Sequence, residues 1–200
     1  MLRTVLFSVS ASLTYAAKFP STLILSIQAQ RNASQTILEE QLTVEPAVKV
    51  AEFTDEAGEN RFIRIETGEH TSLALRYRAS VECDFQTYAA RSVEATPVSD
   101  LSWSTIPYLF PSRYCQSDRL GRLAWDLFGK IENPHQKVVA IADWIHDNVE
   151  YLRGSTDSMT SAFDTVTQRT GVCRDFSHLG IALCRALNIP ARYFSGYAYQ

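Results

Sequence analysis

From Val5 to Tyr15 every second residue is apolar, and this alternation constrains the chain more than its composition does. Val5, Phe7, Val9, Ala11, Leu13 and Tyr15 are separated by Thr4, Ser8, Ser10, Ser12 and Thr14 at the polar positions. A period of two puts one set of side chains on a core face and the other in water, which is a half-buried strand. The pattern returns at Leu23, Leu25, Ile27 and Ala29, and again at Leu73, Leu75, Tyr77, Ala79, Val81 and Cys83. Further strands are predicted over Thr36–Val44, Val48–Phe53 and Phe62–Glu66, with an acidic, Gly-containing turn at Asp55–Asn60 between the last two. Residues 1–84 therefore read as an antiparallel β-sandwich. The alternation also argues against a cleaved signal at Met1-Leu2-Arg3, because a signal h-region is continuously apolar.

Over residues 85–117 periodicity fades and Pro97, Pro107 and Pro111 punctuate a connector. Its Trp103, Tyr108, Leu109, Phe110 and Tyr114 are costly to leave in water, so packing against the second domain is predicted. From residue 118 to 200 the period becomes helical. Asp118 is placed to cap a helix over Arg119–Phe128 with Leu120, Leu123, Ala124 and Leu127 on one face. Asn133-Pro134-His135-Gln136 is a helix start, followed by a stripe of Val138, Ile141, Ala142, Ile145 and Val149. Ser161 with Asp164 caps a short third helix ending before Gly171. A fourth runs from Cys173 to about Leu187, and Ala191–Tyr199 reads as a strand. The predicted class is α+β: a β-sandwich, a packed connector, then a mostly helical segment.

A net charge of −3, with nineteen basic residues spread thinly, gives no electrostatic footprint for nucleic acid or an anionic membrane. No stretch is long and apolar enough to span a bilayer. The four cysteines, Cys83, Cys115, Cys173 and Cys184, lack zinc-finger spacing and any paired histidine, so neither a metal nor another cofactor is expected. Reduced thiols in a cytoplasmic protein are the expectation.

Chemistry concentrates at Thr170-Gly171-Val172-Cys173-Arg174-Asp175-Phe176. A glycine-led turn that sets a cysteine at a helix N-terminus favours the thiolate, through unpaired N–H groups and the helix dipole, and Arg174 adds a positive neighbour. Cys173 is thus a candidate nucleophile, against the alternative of a small buried hydrophobe. Cys184, eleven residues on and deep in the same helix, reads as core. Asp175 reads as a first-turn acid that stabilises the helix or holds Arg174. A thiolate nucleophile needs an imidazole within reach. His178 is five residues from Cys173, about 140° around the helix, and cannot face it. Like His70, His135 and His146 it reads as solvent-facing or satisfied, with His146 able to approach only if its helix packs alongside.

The block Gly171-Val-Cys-Arg-Asp-Phe-Ser-His178, followed by Cys184-Arg-Ala-Leu-Asn-Ile-Pro-Ala-Arg-Tyr-Phe-Ser-Gly-Tyr197, resembles the nucleophile segment of bacterial transglutaminase-like proteins, a group that includes presumed cysteine proteases. Tyr108–Asp118 and the Trp144…Tyr151 helix end are similar to segments that precede that nucleophile, and the strand-rich part resembles the family's N-terminal β-domain. The resemblance implies a papain-like core with a Cys-His-Asp triad. Cys173 would attack a carboxamide or peptide carbonyl, with its own N–H as one oxyanion donor and Tyr151 as a candidate second.

In this family the triad His and Asp follow the nucleophile on later strands, and neither is identifiable in this sequence. That predicts a partial core and a chain unable to turn over substrate alone. The implied partner is a peptide or protein substrate, with hydrolysis favoured over transfer to an amine; the oligomeric state is left open. A non-catalytic peptide- or protein-binding module of the same fold and a redox-sensing cysteine are the alternatives.

Overall fold

The computed structural model of the chain describes residues 2–55, 60–88 and 95–198. Two compact units are present, Met1–Thr87 and Tyr88–Gln200.

The first unit is built from the alternating segments. Strands β1 (Leu2–Ala16), β6 (Ser72–Gln86) and β3 (Gln35–Glu45) form one antiparallel sheet in the order β1-β6-β3. Strands β2 (Thr22–Leu25), β5 (Arg61–Glu66) and β4 (Val50–Thr54) form a second, in the order β2-β5-β4. Ile63 and Ile65 of β5 and Leu73 and Leu75 of β6 are fully buried in a cluster that draws on both sheets. Tyr77, Ala79 and Val81 continue the core along β6.

This core has a polar plug. Arg61, 7% exposed, donates to both Glu40 carboxylate oxygens at 2.9 and 3.0 Å and to the Ala29 carbonyl at 2.8 Å. The Tyr77 hydroxyl donates to Glu40 and accepts from the Ala29 N–H. A buried guanidinium is tolerated because both terminal nitrogens donate to acceptors and the Glu40 carboxylate pairs its charge.

Strand β2 is shorter than the alternation predicts. Its ladder with β5 ends at Leu25, and Ile27 and Ala29 continue inward without one. Residues 56–59 of the predicted Asp55–Asn60 turn lie outside the described residues, but Asn60 closes its base with hydrogen bonds to Asp55.

The second unit centres on helix α4 (Cys173–Ala186), which contacts α1 (Ser117–Phe128), α2 (Pro134–Asn148) and α3 (Ala162–Gln168). Its core comprises Leu120, Ala124 and Phe128 of α1, Ile141 and Ile145 of α2, and Leu179 and Leu183 of α4. The Asn133 side chain caps α2 by accepting from the Gln136 N–H, with Pro134 at the first helical position.

Four expectations need correction. Helix α1 begins at Ser117 with Gln116 at its N-cap, so Asp118 lies in the first turn rather than capping it; Leu127 is 41% exposed and Phe128 fills the core instead. On α2, Val138 and Ala142 are exposed, because the inward stripe is the narrower Ile141, Ile145, Val149. In the connector, whose residues 89–94 lie outside the described set, Trp103 is 90% exposed on a turn between short 3₁₀ segments at Val98–Asp100 and Ile106–Leu109. Phe110 is also exposed, whereas Tyr108, Leu109 and Tyr114 are half-buried. Finally, residues 191–198 form no ladder among the described residues, and Tyr199 lies outside them. That segment is held at its start, where the Ala191 N–H donates to the Tyr108 carbonyl and Arg185 bonds the carbonyls of Ala191 and Phe110.

Candidate active site

The turn before α4 is set by local chemistry on both sides. Ser161 and Asp164 form the capping box of α3, and Arg169 ends that helix in the left-handed region at φ 58°. The reversal sends Thr170–Gly171 out as strand β8, paired in parallel with β7 (Glu150–Tyr151). A Cβ on Gly171 would lie 3.0 Å from the Asp175 Cβ and 3.3 Å from the Thr165 Cγ2, a close approach that glycine makes without displacing either side chain. Val172 is extended as the N-cap, and Cys173 follows as the first residue of α4. At that position the N–H groups of Cys173 and Arg174 have no intrahelical acceptor, and both belong to the positive end of the helix.

Asp175, 1% exposed, organises this end from beneath. Its carboxylate accepts from the Val172 N–H at 2.9 Å, the Thr156 hydroxyl at 2.7 Å, and Arg174 Nε and a terminal nitrogen at 3.2 Å each. The bond to Val172 is half of a capping box; valine has no polar side chain to return the other half. Burial opposes ionisation of Asp175, but the Val172 N–H, the Thr156 hydroxyl and Arg174 outweigh it and hold the carboxyl below its ordinary value. Arg174 also donates to the Asp157 carbonyl at 2.7 Å. Its guanidinium is therefore committed to Asp175 and the 152–160 loop, in keeping with the expectation that Asp175 holds Arg174. The loop is tied again where the Tyr114 hydroxyl donates to the Ser158 carbonyl.

Cys173 is exposed, whereas Cys115 and Cys184 are buried. Cys184 lies on nearly the same side of α4, but the second half of that helix is enclosed, and burial pushes its thiol up to about 11. Phe176 and Ser177 are one turn beyond Cys173 on its own face. The Ser177 hydroxyl donates to the Cys173 carbonyl, and Phe176 meets Tyr151 edge-to-face at 6.1 Å. Tyr151 is 52% exposed, not a core tyrosine, and its strand position is directly opposite Gly171.

The histidines are placed elsewhere. His146 is exposed and its Nδ1 lies 3.0 Å from an Asp147 carboxylate oxygen. His70 is exposed on a turn of the first unit, and His135 sits half-buried in the first turn of α2. The expectation of a solvent-facing or satisfied ring fails for His178. Its ring stacks on Tyr114 at 5.2 Å and leans on Tyr193, and its buried Nδ1 has no partner among the described residues. Burial lowers its pKa, which favours the neutral ring. Thr156 was missed from the sequence, since Gly154-Ser155-Thr156-Asp157 reads as an ordinary polar turn. Among the described residues no cluster of His, Cys, Asp and Glu could hold a metal ion, and no helix is long and apolar enough to cross a membrane.

A family model for the bacterial transglutaminase N-terminal domain matches residues 5–104, and one for the transglutaminase-like superfamily matches residues 122–200. A crystal structure from Cytophaga hutchinsonii, described as a "putative cysteine protease", is 50% identical with a TM-score of 0.94, over 100% of this chain and 70% of that one. An uncharacterized protein of Mycobacterium leprae is 26% identical over 198 residues, 92% of this chain and 68% of the relative. One from Mycobacterium tuberculosis is 40% identical over 57 residues, 28% of this chain and 18% of the relative. With mixed helices and antiparallel sheets arranged as in that neighbour, a sheet domain ahead of a helical core, the chain belongs to the transglutaminase-like superfamily and carries the bacterial transglutaminase N-terminal domain.

Proposed function

We propose that Cys173 is the nucleophile of an acyl-transfer reaction on amide bonds of peptides or proteins. The superfamily and the Cytophaga neighbour support a general cysteine-protease-like function. The observation that carries the finer reading is the placement of an exposed thiol at the first residue of α4, on a turn that Gly171 and Asp175 hold fixed.

The Cys173 sulfur attacks the carbonyl carbon, and the C=O electron pair moves onto oxygen. The Cys173 N–H stabilises that oxyanion, and the Tyr151 hydroxyl is the second donor. Collapse breaks the C–N bond; the amine leaves with a proton and a thioester remains on Cys173. Water attacks the thioester carbonyl, a carboxylic acid is released, and the thiol is restored. Hydrolysis is favoured over transfer because water is always at hand. Neither His146 nor His178 engages Cys173, so we assign the triad imidazole and its carboxylate to the part of the relatives that this chain does not span.

Trapping tests the reading without turnover. A peptide aldehyde or chloromethyl ketone should add one equivalent to the chain at Cys173, and none to Cys173→Ala. An unmodified wild-type chain, or equal labelling of the variant, would overturn it. A thiol that peroxide converts reversibly to the sulfenic acid but that ignores the peptide electrophile would favour the redox alternative.

A further inference from the structure

Each three-stranded sheet has two edges, and three of the four are protected in ways that discourage pairing with another chain. Strands β2 and β4 are only four and five residues long, and β4 carries Glu52. Strand β3 carries Glu39, Glu40 and Glu45 and is interrupted by a register shift between Ile37 and Glu39. Short strands, charges and bulges are the standard defences of a sheet edge.

Strand β1 is neither short nor bulged, and its one charged residue is Arg3, at its very start. It runs fifteen residues, pairs with β6 residue for residue from Leu2 to Ala16 without a shift, and among the described residues pairs with no other strand. Its span Thr4–Ala16 contains no charged residue and no proline. Two of its large apolar side chains remain open to solvent, Leu6 at 61% and Phe7 at 37%.

From this geometry we infer that β1 is a homodimer interface, in which a second copy of the chain adds its own β1 antiparallel and joins two three-stranded sheets into one of six. The uncharged span Thr4–Ala16 is centred on Ser10, so a two-fold axis at Ser10 aligns the whole span with itself. In that register Ser10 faces Ser10 of the partner subunit and Ser8 faces the partner's Ser12 on the solvent face. On the core face, Phe7 meets the partner's Leu13 and gains the cover it lacks in one chain. Like residues thus meet like on both faces, apolar on one and mostly hydroxyl on the other. Arg3, the strand's one charged residue, lies outside this span and in this register falls opposite the partner's Ala17 rather than its own copy.

Sedimentation equilibrium of the 200-residue chain tests the inference, with a charge swap to fix the surface. The wild-type chain is expected at twice its 22.5 kDa mass. Ser8→Lys/Ser12→Lys sets lysine against lysine at two places and should be monomeric, as should Ser8→Glu/Ser12→Glu. An equimolar mixture of the two should recover the dimer, which also shows that both variants fold. A wild-type chain monomeric at its highest soluble concentration, or a lysine variant that still dimerises, would overturn the proposal. The register has its own readout in a Cys173→Ala background. Ser10→Cys should oxidise to an interchain disulfide, because residues directly opposite fall within bridging distance. Ser8→Cys, four residues from its own copy in the pair, should not; equal cross-linking of both would refute the axis at Ser10.

Discussion

Replacing Asp175 tests how the turn before Cys173 is held. Its carboxylate is out of contact with solvent and receives the Val172 N–H, the Thr156 hydroxyl and two Arg174 nitrogens. In Asp175→Ala the Arg174 side chain, 39% exposed, regains water. The Val172 N–H and the Thr156 hydroxyl lose a part-buried acceptor, at about 1–3 kcal/mol each. The expected loss is about 3–5 kcal/mol, as for breaking a buried charge pair from one side. Asp175→Asn keeps one acceptor oxygen but turns an amide N–H₂ toward Arg174 or Thr156, and should lose about 2 kcal/mol. Set against about 5–15 kcal/mol for a whole domain, either change is large.

The assay is urea unfolding followed by tryptophan fluorescence. The three tryptophans, Trp103, Trp125 and Trp144, all lie in the second unit, so the signal reports on that unit alone. The pH dependence has a defined sign. The native carboxyl is held below its unfolded value, so its contribution is complete above about pH 4 and disappears as pH falls through the native value. Wild type and Asp175→Asn should therefore converge in acid. An Asp175→Asn chain within about 0.5 kcal/mol of wild type at pH 7, the range of neutral surface changes, would refute the network as the anchor of the turn.

Iodoacetamide at pH 8 should label Cys173 well before Cys184, since a thiol near 11 is ionised in only about 1 molecule in 1,000 there; equal rates by peptide mass mapping would contradict the assigned burial. Ser161→Ala removes the acceptor of the α3 capping box and should lower the urea midpoint of the tryptophan signal, by about 1 kcal/mol of stability. Arg61→Ala removes the buried partner of Glu40, which keeps only the exposed Arg31 and the Tyr77 hydroxyl, and should destabilise the first unit by about 3 kcal/mol, read by far-UV circular dichroism, whereas Arg61→Leu with Glu40→Leu should cost much less. Glu40 is held below its ordinary value, chiefly by Arg61, so the wild-type advantage over Glu40→Gln should fade as pH drops below about 4.

Elements were legible where their cause is local. The Asn133 cap and the Ser161–Asp164 box are hydrogen bonds between residues three apart, and the structure forms both. Alternation along β1 and β6 marks a core face, and Leu73 to Val81 is buried at every second residue. What alternation cannot report is the ladder. Ile27 and Ala29 keep the inward rhythm of β2 past the end of its ladder at Leu25, and residues 191–198 carry strand-like composition but form no ladder among the described residues. Pairing depends on which backbone arrives alongside, and that is decided far away in sequence. The exposure of Val138 and Trp103 has the same origin: an apolar residue is buried only if a neighbour reaches it.

The candidate site divides along the same line. Cys173 was visible because its position, behind a glycine turn and ahead of an amphipathic helix, is contained in seven consecutive residues. The residues that fix it were not. Thr156 is nineteen positions from Asp175, in a loop whose sequence describes only a turn, yet it makes the shortest bond to the buried carboxylate. Arg174 reads in sequence as a charge beside the thiol, and nothing in that reading shows that it also grips the same loop through Asp157. One carboxylate thus joins the loop after Tyr151 to the turn before Cys173, so the proposed nucleophile and the proposed oxyanion partner sit on two segments that Asp175 holds as one. A substitution at Thr156 should for that reason disturb Tyr151 and Cys173 together, although it borders neither in sequence.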